Sequence, residues 1–200
     1  PDGNKMSKSK GNVINPDDHV QRVGGDSVKM YLAFMGPYGE TANYPWDMGG
    51  IAGIRRFLER VYGLSEHIAD TESEEVTKQL HKTILKLSQD IPAYKFNTSI
   101  SAMMIFVNLV EKNSLTQESY EIFLRLLAPF APHLTEELFE ATGKNTSIHL
   151  ESFPVANQAL TQDAEVTIGV QINGKMRGDI TLPVDADEAA AMKEAKMNTI

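Results

Sequence analysis

The sequence predicts a mainly α protein, a helical bundle followed by a short β-hairpin and one more helix. Three observations carry that prediction. Apolar residues recur every three or four positions from Val28 to Leu138, the period of helices with one buried face. The spacing changes to alternation between Val166 and Val184, the period of strands. An alanine-rich stretch from Asp187 to Lys196 then returns to helical composition.

The first element is a loop. Lys5-Met6-Ser7-Lys8-Ser9-Lys10-Gly11-Asn12 has no apolar period and sets three lysines and two serines within six residues. Lysine is a flexible point charge suited to phosphate. One ammonium–phosphate pair at about 4 Å and an effective dielectric near 20 gains about 4 kcal/mol, worth about a thousandfold in rate if it forms only in a transition state. Taken on composition alone, such a cluster is a solvated basic turn before it is a site.

Asn15-Pro16-Asp17-Asp18 is a helix start: Asn as cap, Pro in the first turn, and two carboxylates on the positive end of the dipole. This short helix is expected to end at Gly24-Gly25, and a second to carry Val28, Leu32 and Met35 on one face. Gly36 to Trp46, with two prolines and three aromatics, is expected to be an ordered loop, and Asp47 to cap the next helix. There Ile51, Ile54, Leu58, Val61 and Ile68 keep helical spacing, while Arg55, Arg56, Glu59 and Arg60 lie largely elsewhere. Arg55 and Arg56 are read either as a solvated face, with an Arg55–Glu59 pair, or as contacts to an RNA backbone.

Thr71 to Glu75 is an acidic helix start. Beyond it Leu80, Ile84, Leu87 and Ile91 form one stripe, and Lys78, Lys82 and Lys86 a second one on another face. The lysine row spans about 12 Å and could follow a phosphate backbone, although a solvated face is the commoner use of such a row. Pro92 closes that helix, and another from Phe96 to about Lys112 carries Ile100, Met103, Met104, Val107 and Val110, with the methionines as core filler. Thr116 is a cap for a helix with Tyr120, Phe123, Leu124 and Leu127 inward; Pro129 and Pro132 interrupt it, and Pro132 begins the next. A short strand is expected at Ile148-His149-Leu150. The hairpin places Val166, Ile168, Val170 and Ile172 on one strand and Ile180, Leu182 and Val184 on the other, with Asn173 to Gly178 as its turn.

Composition excludes several classes. The chain has 200 residues, 42% hydrophobic, which is ample for a core, and no cysteine, so neither disulfides nor thiolate metal sites can form. No apolar run approaches the roughly 20 residues of a membrane span. His19, His67, His81, His133 and His149 show no metal-ligand spacing, so no metal site is expected. The sequons at Asn97 and Asn145 stand without a secretory signal and are read as chance. The net charge of −8 argues against a general nucleic-acid binder. The acid is concentrated between residues 61 and 165, where 7 Lys and Arg face 15 Asp and Glu, so any RNA contact must come from local stripes.

The literal string Lys-Met-Ser-Lys-Ser followed by Gly-Asn resembles the signature loop of class I aminoacyl-tRNA synthetases. Two later strings extend the resemblance over nearly the whole chain. Leu126-Leu127-Ala128-Pro129-Phe130-Ala131-Pro132-His133-Leu134 is similar to the anticodon-binding helical domain shared by the leucyl, isoleucyl, valyl and methionyl enzymes. Ile172-Asn173-Gly174-Lys175-Met176-Arg177-Gly178 resembles the Val-Asn-Gly-Lys-x-Arg-Gly marker that opens the C-terminal domain of the leucyl family. Gly24 to Lys29 departs from the family's Gly-Ala-Asp-Ala-Leu-Arg pattern at several positions, and no role is carried over from it.

The resemblance implies a section of a leucyl-type enzyme that activates leucine with ATP and transfers it to tRNA(Leu). Lys5, Ser7, Lys8 and Ser9 would then bind ATP, with Lys8 catalytic and magnesium accompanying the nucleotide in the full enzyme. Arg55, Arg56, Lys78, Lys82, Lys86, Lys175 and Arg177 are the candidate tRNA contacts. The protein is expected to be a cytoplasmic monomer that meets no membrane. The expected division is 1–46 for the loop and a connecting helical region, 47–145 for the bundle, 146–164 for a linker and 165–200 for the truncated start of a C-terminal α+β domain. The chain opens on Pro1-Asp2-Gly3 with no initiator Met and stops just after Lys196-Met197-Asn198, so both ends are expected to be cut from something longer; the partner motif His-x-Gly-His of the class does not occur, and this section alone is expected to be inactive. The rival readings are a valyl, isoleucyl or methionyl enzyme, and a helical RNA-binding module without chemistry.

Overall fold

Side-chain oxygens mark where the helices begin. In the computed structural model, which describes residues 5–38, 44–162, 165–173, 175–183 and 186–198, Asn15 accepts from the N–H of Asp17 at 3.2 Å and opens α1 (Pro16–Val23). Asp47 accepts from Gly49 and Gly50 at 2.9 and 3.0 Å and opens α3 (Met48–Gly63). Ser73 and Thr116 do the same for α4 (Glu74–Asp90) and α6 (Gln117–Leu127). Each such cap is worth about 1 kcal/mol. The remaining helices are α2 (Gly25–Phe34), α5 (Phe96–Val110), α7 (Pro132–Ala141, with Pro132 in its first turn) and α8 (Glu188–Asn198).

The chain divides into two compact units, Pro1–Asn157 and Gln158–Ile200. In the first, Ile51, Ile54, Leu58 and Val61 of α3 meet Leu80, Ile84 and Leu87 of α4 and the inward faces of α5 and α6 in one continuous core. Phe57, absent from the expected stripe, is buried with them. Each of these side chains contributes roughly 1.5–3 kcal/mol. Exposed ion pairs contribute a few tenths, so the apolar stripes rather than the lysine row hold α4 in place. Met103 is fully buried, as core filler should be.

Four expectations need correction. The buried face of α2 is Val28, Met30 and Tyr31, whereas Leu32 is 39% exposed. The helix is contacted from several sides, by α1, α3, α5 and α7, so its buried surface is wider than one stripe. Gly50 lets the Tyr31 ring approach α3, since a Cβ there would meet it at 2.7 Å. Ile68 is not on α3. That helix ends at Gly63, a single 3₁₀ turn follows (Leu64–His67), and Ile68 pairs with Leu115 in an isolated bridge. Ile148–Leu150 is a 3₁₀ turn rather than a strand, because Ser147 caps it and Ile148 N–H donates to Glu136 at 3.0 Å.

The fourth correction concerns the hairpin. In the second unit β1 (Glu165–Ile172) pairs antiparallel with β2 (Lys175–Pro183), with an irregularity between Val170 and Gln171. Ile172 stands opposite Lys175, so the connection is two residues long instead of Asn173 to Gly178. Asn173 takes φ +51°, a left-handed conformation that asparagine tolerates well. Lys175 and Arg177 therefore sit on a strand. Ile168 lies opposite Ile180, and Ile180 and Leu182 are buried, while α8 rests against β2. Residues 39–43 of the expected loop, Gly174 and Val184 lie outside the described residues, as do the side chains of Val166 and Ile172. Among the described residues no helix is long and apolar enough to cross a membrane.

Candidate functional site

The lysine-rich loop closes on itself through asparagine and serine. Ser7 N–H donates to the side-chain oxygen of Asn12 at 2.8 Å, and the Asn12 amide donates back to the carbonyl of Lys5 at 3.4 Å. Lys8–Lys10 form one 3₁₀ turn, which ends at Gly11 with φ +64° and its N–H on the carbonyl of Lys8. Glycine takes that conformation without the steric cost other residues meet. The hydroxyls of Ser7 and Ser9 are 2.8 Å apart. A hydroxyl pair uses one of its two O–H donors, so the other remains for a ligand.

Lys5, Lys8 and Lys10 are all exposed, and among the described residues none has a carboxylate partner. Three ammonium groups without carboxylate partners on a short closed loop leave positive charge of the kind a polyphosphate can match. Asn12 is a loop-shaping residue to which sequence reasoning assigned no role. Its signal was its place, directly after the glycine that turns the chain.

The other candidate cations fall into separate sets. On α3, Arg55 is engaged: its Nε donates to Glu59 at 2.8 Å and its Nη1 to the carbonyl of Arg22 at 3.0 Å, which ties α3 to the end of α1. Arg56 is exposed, with no carboxylate partner among the described residues. Arg60 holds Glu111, the residue after α5, at 2.6 Å from both Nε and Nη2 and also reaches Asn108 on that helix. The Glu111 hydrogen bond holds the Arg60 guanidinium above its usual range, and the Arg60 hydrogen bond holds the Glu111 carboxyl below its own.

On α4 the lysine row is partly neutralised. Lys78 pairs with Glu74 at 2.6 Å and Lys86 with Asp90 at 2.9 Å. The two pairs differ in kind. Glu74 is largely exposed, so its pair is readily exchanged for another anion, whereas Asp90 is buried and also accepts from Thr98 at 2.5 Å. Lys82 and Lys86 line a shallow groove with Thr98, Ser101 and Ile105 of α5. Both pairs have i,i+4 spacing, a signal in the sequence that the reading of the lysine row passed over. In the second unit Lys175 and Arg177 are exposed on β2 with Met176 between them, and Arg177 falls at the irregularity, where it has no partner residue on β1. The fold thus gathers Lys5, Ser7, Lys8 and Ser9 onto one closed loop, a candidate site. Among the described residues no ion pair or hydrogen bond joins that site to Arg55 or Arg56, and no three His, Asp or Glu side chains lie close enough to hold a metal ion.

Two families match this chain. One, described as the anticodon-binding domain of tRNA ligase, covers residues 73–192. The other, described as class I tRNA synthetases (I, L, M and V), covers residues 1–44, which include the loop. Among curated relatives, the leucine–tRNA ligase of Chlorobium chlorochromatii (strain CaD3) is 43% identical over 98% of this chain and 25% of its own length. That of Elusimicrobium minutum (strain Pei191) is 43% identical over 92% and 22%. The chain therefore spans about a quarter of the length of the curated relatives it matches. Among solved structures, the ternary complex of Agrobacterium radiobacter K84 agnB2 LeuRS, tRNA and LeuAMS superposes with a TM-score of 0.75 at 36% identity, covering 96% of this chain and 27% of that one.

Proposed function

The chain belongs to the family of tRNA-ligase anticodon-binding domains, and from that premise we propose that it is a section of a leucine–tRNA ligase. The observation that carries this reading is coverage: 43% identity to a leucine–tRNA ligase extends over 98% of the chain. In the whole enzyme the reaction is attack of the leucine carboxylate on ATP, giving leucyl-adenylate and pyrophosphate, and then transfer of leucine to tRNA(Leu).

Lys8 is the catalytic residue of this section and Lys5 its partner on the ATP phosphates. Charge builds on the pyrophosphate as it leaves, and ammonium groups aligned with that charge lower the barrier without any covalent intermediate. Ser7 and Ser9 shape the loop and offer one hydroxyl donor. Magnesium would accompany the nucleotide, and the loop, which has no carboxylate, offers it no charged ligand.

Arg55, Arg56, Lys78, Lys82, Lys86, Lys175 and Arg177 are proposed to meet the tRNA backbone, in support of which the structural neighbour holds a tRNA. The proposed division of labour places the phosphate loop in 1–46, tRNA support in 47–145, a link in 146–164 and the start of a further domain in 165–200. A cytoplasmic monomer goes with the same reading. Lys8→Ala in the full-length enzyme is expected to slow leucine-dependent ATP–pyrophosphate exchange by about two to three orders of magnitude, with tRNA(Leu) affinity within about twofold. Equal losses in both, or none in exchange, would count against the role.

A further inference from the structure

Two sequence strings that the function leaves unused come together in space. Asp26, in the first turn of α2, and His133, in the first turn of α7, lie 107 positions apart, and the Nδ1 of His133 is 2.8 Å from Oδ1 of Asp26. The other oxygen, Oδ2, accepts the backbone N–H of Leu134 at 2.8 Å. The contact fills a need at the start of α7. Its cap position is Ala131, which has no side-chain acceptor, and Pro132 has no N–H, so the free donors of the first turn depend on an outside oxygen. Asp26 supplies one from another helix. The same carboxylate sits in the positive end of α2, so one buried charge serves two helix dipoles.

The location gives this contact its use. The loop leads through Asn12 into α1, which Asn15 caps, and α1 ends at Gly24, a glycine at φ +85° directly before α2. Beyond its packing on α2 and the contact of Val23 with the core, α1 is held by His19 against Trp46, at 5.0 Å between ring centroids, and by Arg55 on the carbonyl of Arg22. We propose that Asp26 is a positioning residue, which registers the phosphate loop against the tRNA-supporting helices by anchoring α2 to the start of α7 through His133 and Leu134. The inference rests on the functional reading above. Loop ammonium groups stabilise a transition state only when aligned with it, and a displacement of about 1 Å costs on the order of a hundredfold. Loss of the anchor therefore acts on turnover.

The test uses full-length enzyme carrying Asp26→Ala, Asp26→Asn, His133→Ala or Lys8→Ala, each assayed for leucine-dependent ATP–pyrophosphate exchange and for thermal unfolding. Asparagine can still accept from Leu134 N–H and donate to His133 Nδ1. Asp26→Ala is expected to lower kcat about 10- to 100-fold with the KM for leucine within about twofold and the enzyme folded at the assay temperature, while Asp26→Asn stays within about threefold of wild type. His133→Ala removes a ring that is 86% exposed, so folding is spared, and a loss of about 3- to 10-fold in kcat is expected. An unchanged kcat in folded Asp26→Ala overturns the proposal, as does an Asp26→Asn enzyme as slow as Asp26→Ala. If Asp26→Ala does not fold, an unchanged His133→Ala overturns it. A wild-type enzyme without leucine-dependent exchange, or a Lys8→Ala enzyme at full rate, would instead overturn the functional reading.

Discussion

Glu72 reaches across the bundle to the start of another helix: its Oε2 accepts the backbone N–H of Thr116 at 2.8 Å, 44 positions further along. The same oxygen accepts the Thr116 hydroxyl, and Oε1 accepts those of Thr77 and Ser119 at 2.7 and 2.9 Å. One carboxylate thus joins the starts of α4 and α6. Burial pushes its pKa up, but the hydrogen bonds from Thr116, Thr77 and Ser119 outweigh burial and hold it below the usual range.

Removing that acceptor strands several donors at once. Glu72→Ala is expected to cost about 2–4 kcal/mol in urea unfolding at pH 7. Because the folded pKa is the lower one, the stabilisation is present above the ordinary glutamate range and is lost as pH falls through the folded value. Glu72→Gln should flatten the acid limb of stability against pH. An unchanged acid limb would show that the carboxylate charge contributes nothing there.

The arginines of α3 should separate in tRNA binding. Arg55 is committed to Glu59 and to the Arg22 carbonyl, whereas Arg56 is exposed without a carboxylate partner among the described residues. Arg56→Ala is expected to weaken tRNA(Leu) binding by the full-length enzyme about 3- to 10-fold at low salt and to reduce the salt slope by about 1. Arg55→Ala, which removes a guanidinium already bound to Glu59 and to the Arg22 carbonyl, should change affinity less than about twofold. Titrations at several salt concentrations measure both, and the reverse order would mean that the free-state pairing does not govern binding.

Tyr120 is a buried hydroxyl without a hydrogen-bond partner among the described residues, and burial pushes its pKa up to about 12. A raised folded pKa means that the folded state keeps its proton while the unfolded chain loses it. Stability should therefore be constant below about pH 10 as far as this group is concerned and decline between about pH 10 and 12. Tyr120→Phe should remove that decline and raise stability at pH 7 by about 1 kcal/mol, the cost of the unpaired hydroxyl. Paired thermal melts at pH 7 and 11 read both effects, and a less stable phenylalanine variant at pH 7 would indicate that the hydroxyl is hydrogen-bonded in solution.

The sequence by itself determined what depends on neighbours along the chain. Caps at Asn15, Asp47 and Thr116, the proline start of α7, the apolar stripes of α3 to α6 and the change to strand alternation all follow from interactions within about four residues, which is why they are legible. The family strings were legible as literal patterns, and the Arg55–Glu59 pair was legible as a spacing. Residue-by-residue bounds failed where distant partners or turn geometry took over: Ile68 joined Leu115, and Lys175 and Arg177 fell on a strand because the turn used two residues. Only the tertiary structure decided which polar groups serve distant helices. The capping of α7 by Asp26, the bracing of α6 by Glu72 and the strut from Arg60 to Glu111 each join residues more than 40 positions apart. Such contacts exist only after the apolar faces have packed, since no local interaction brings their partners within hydrogen-bond reach.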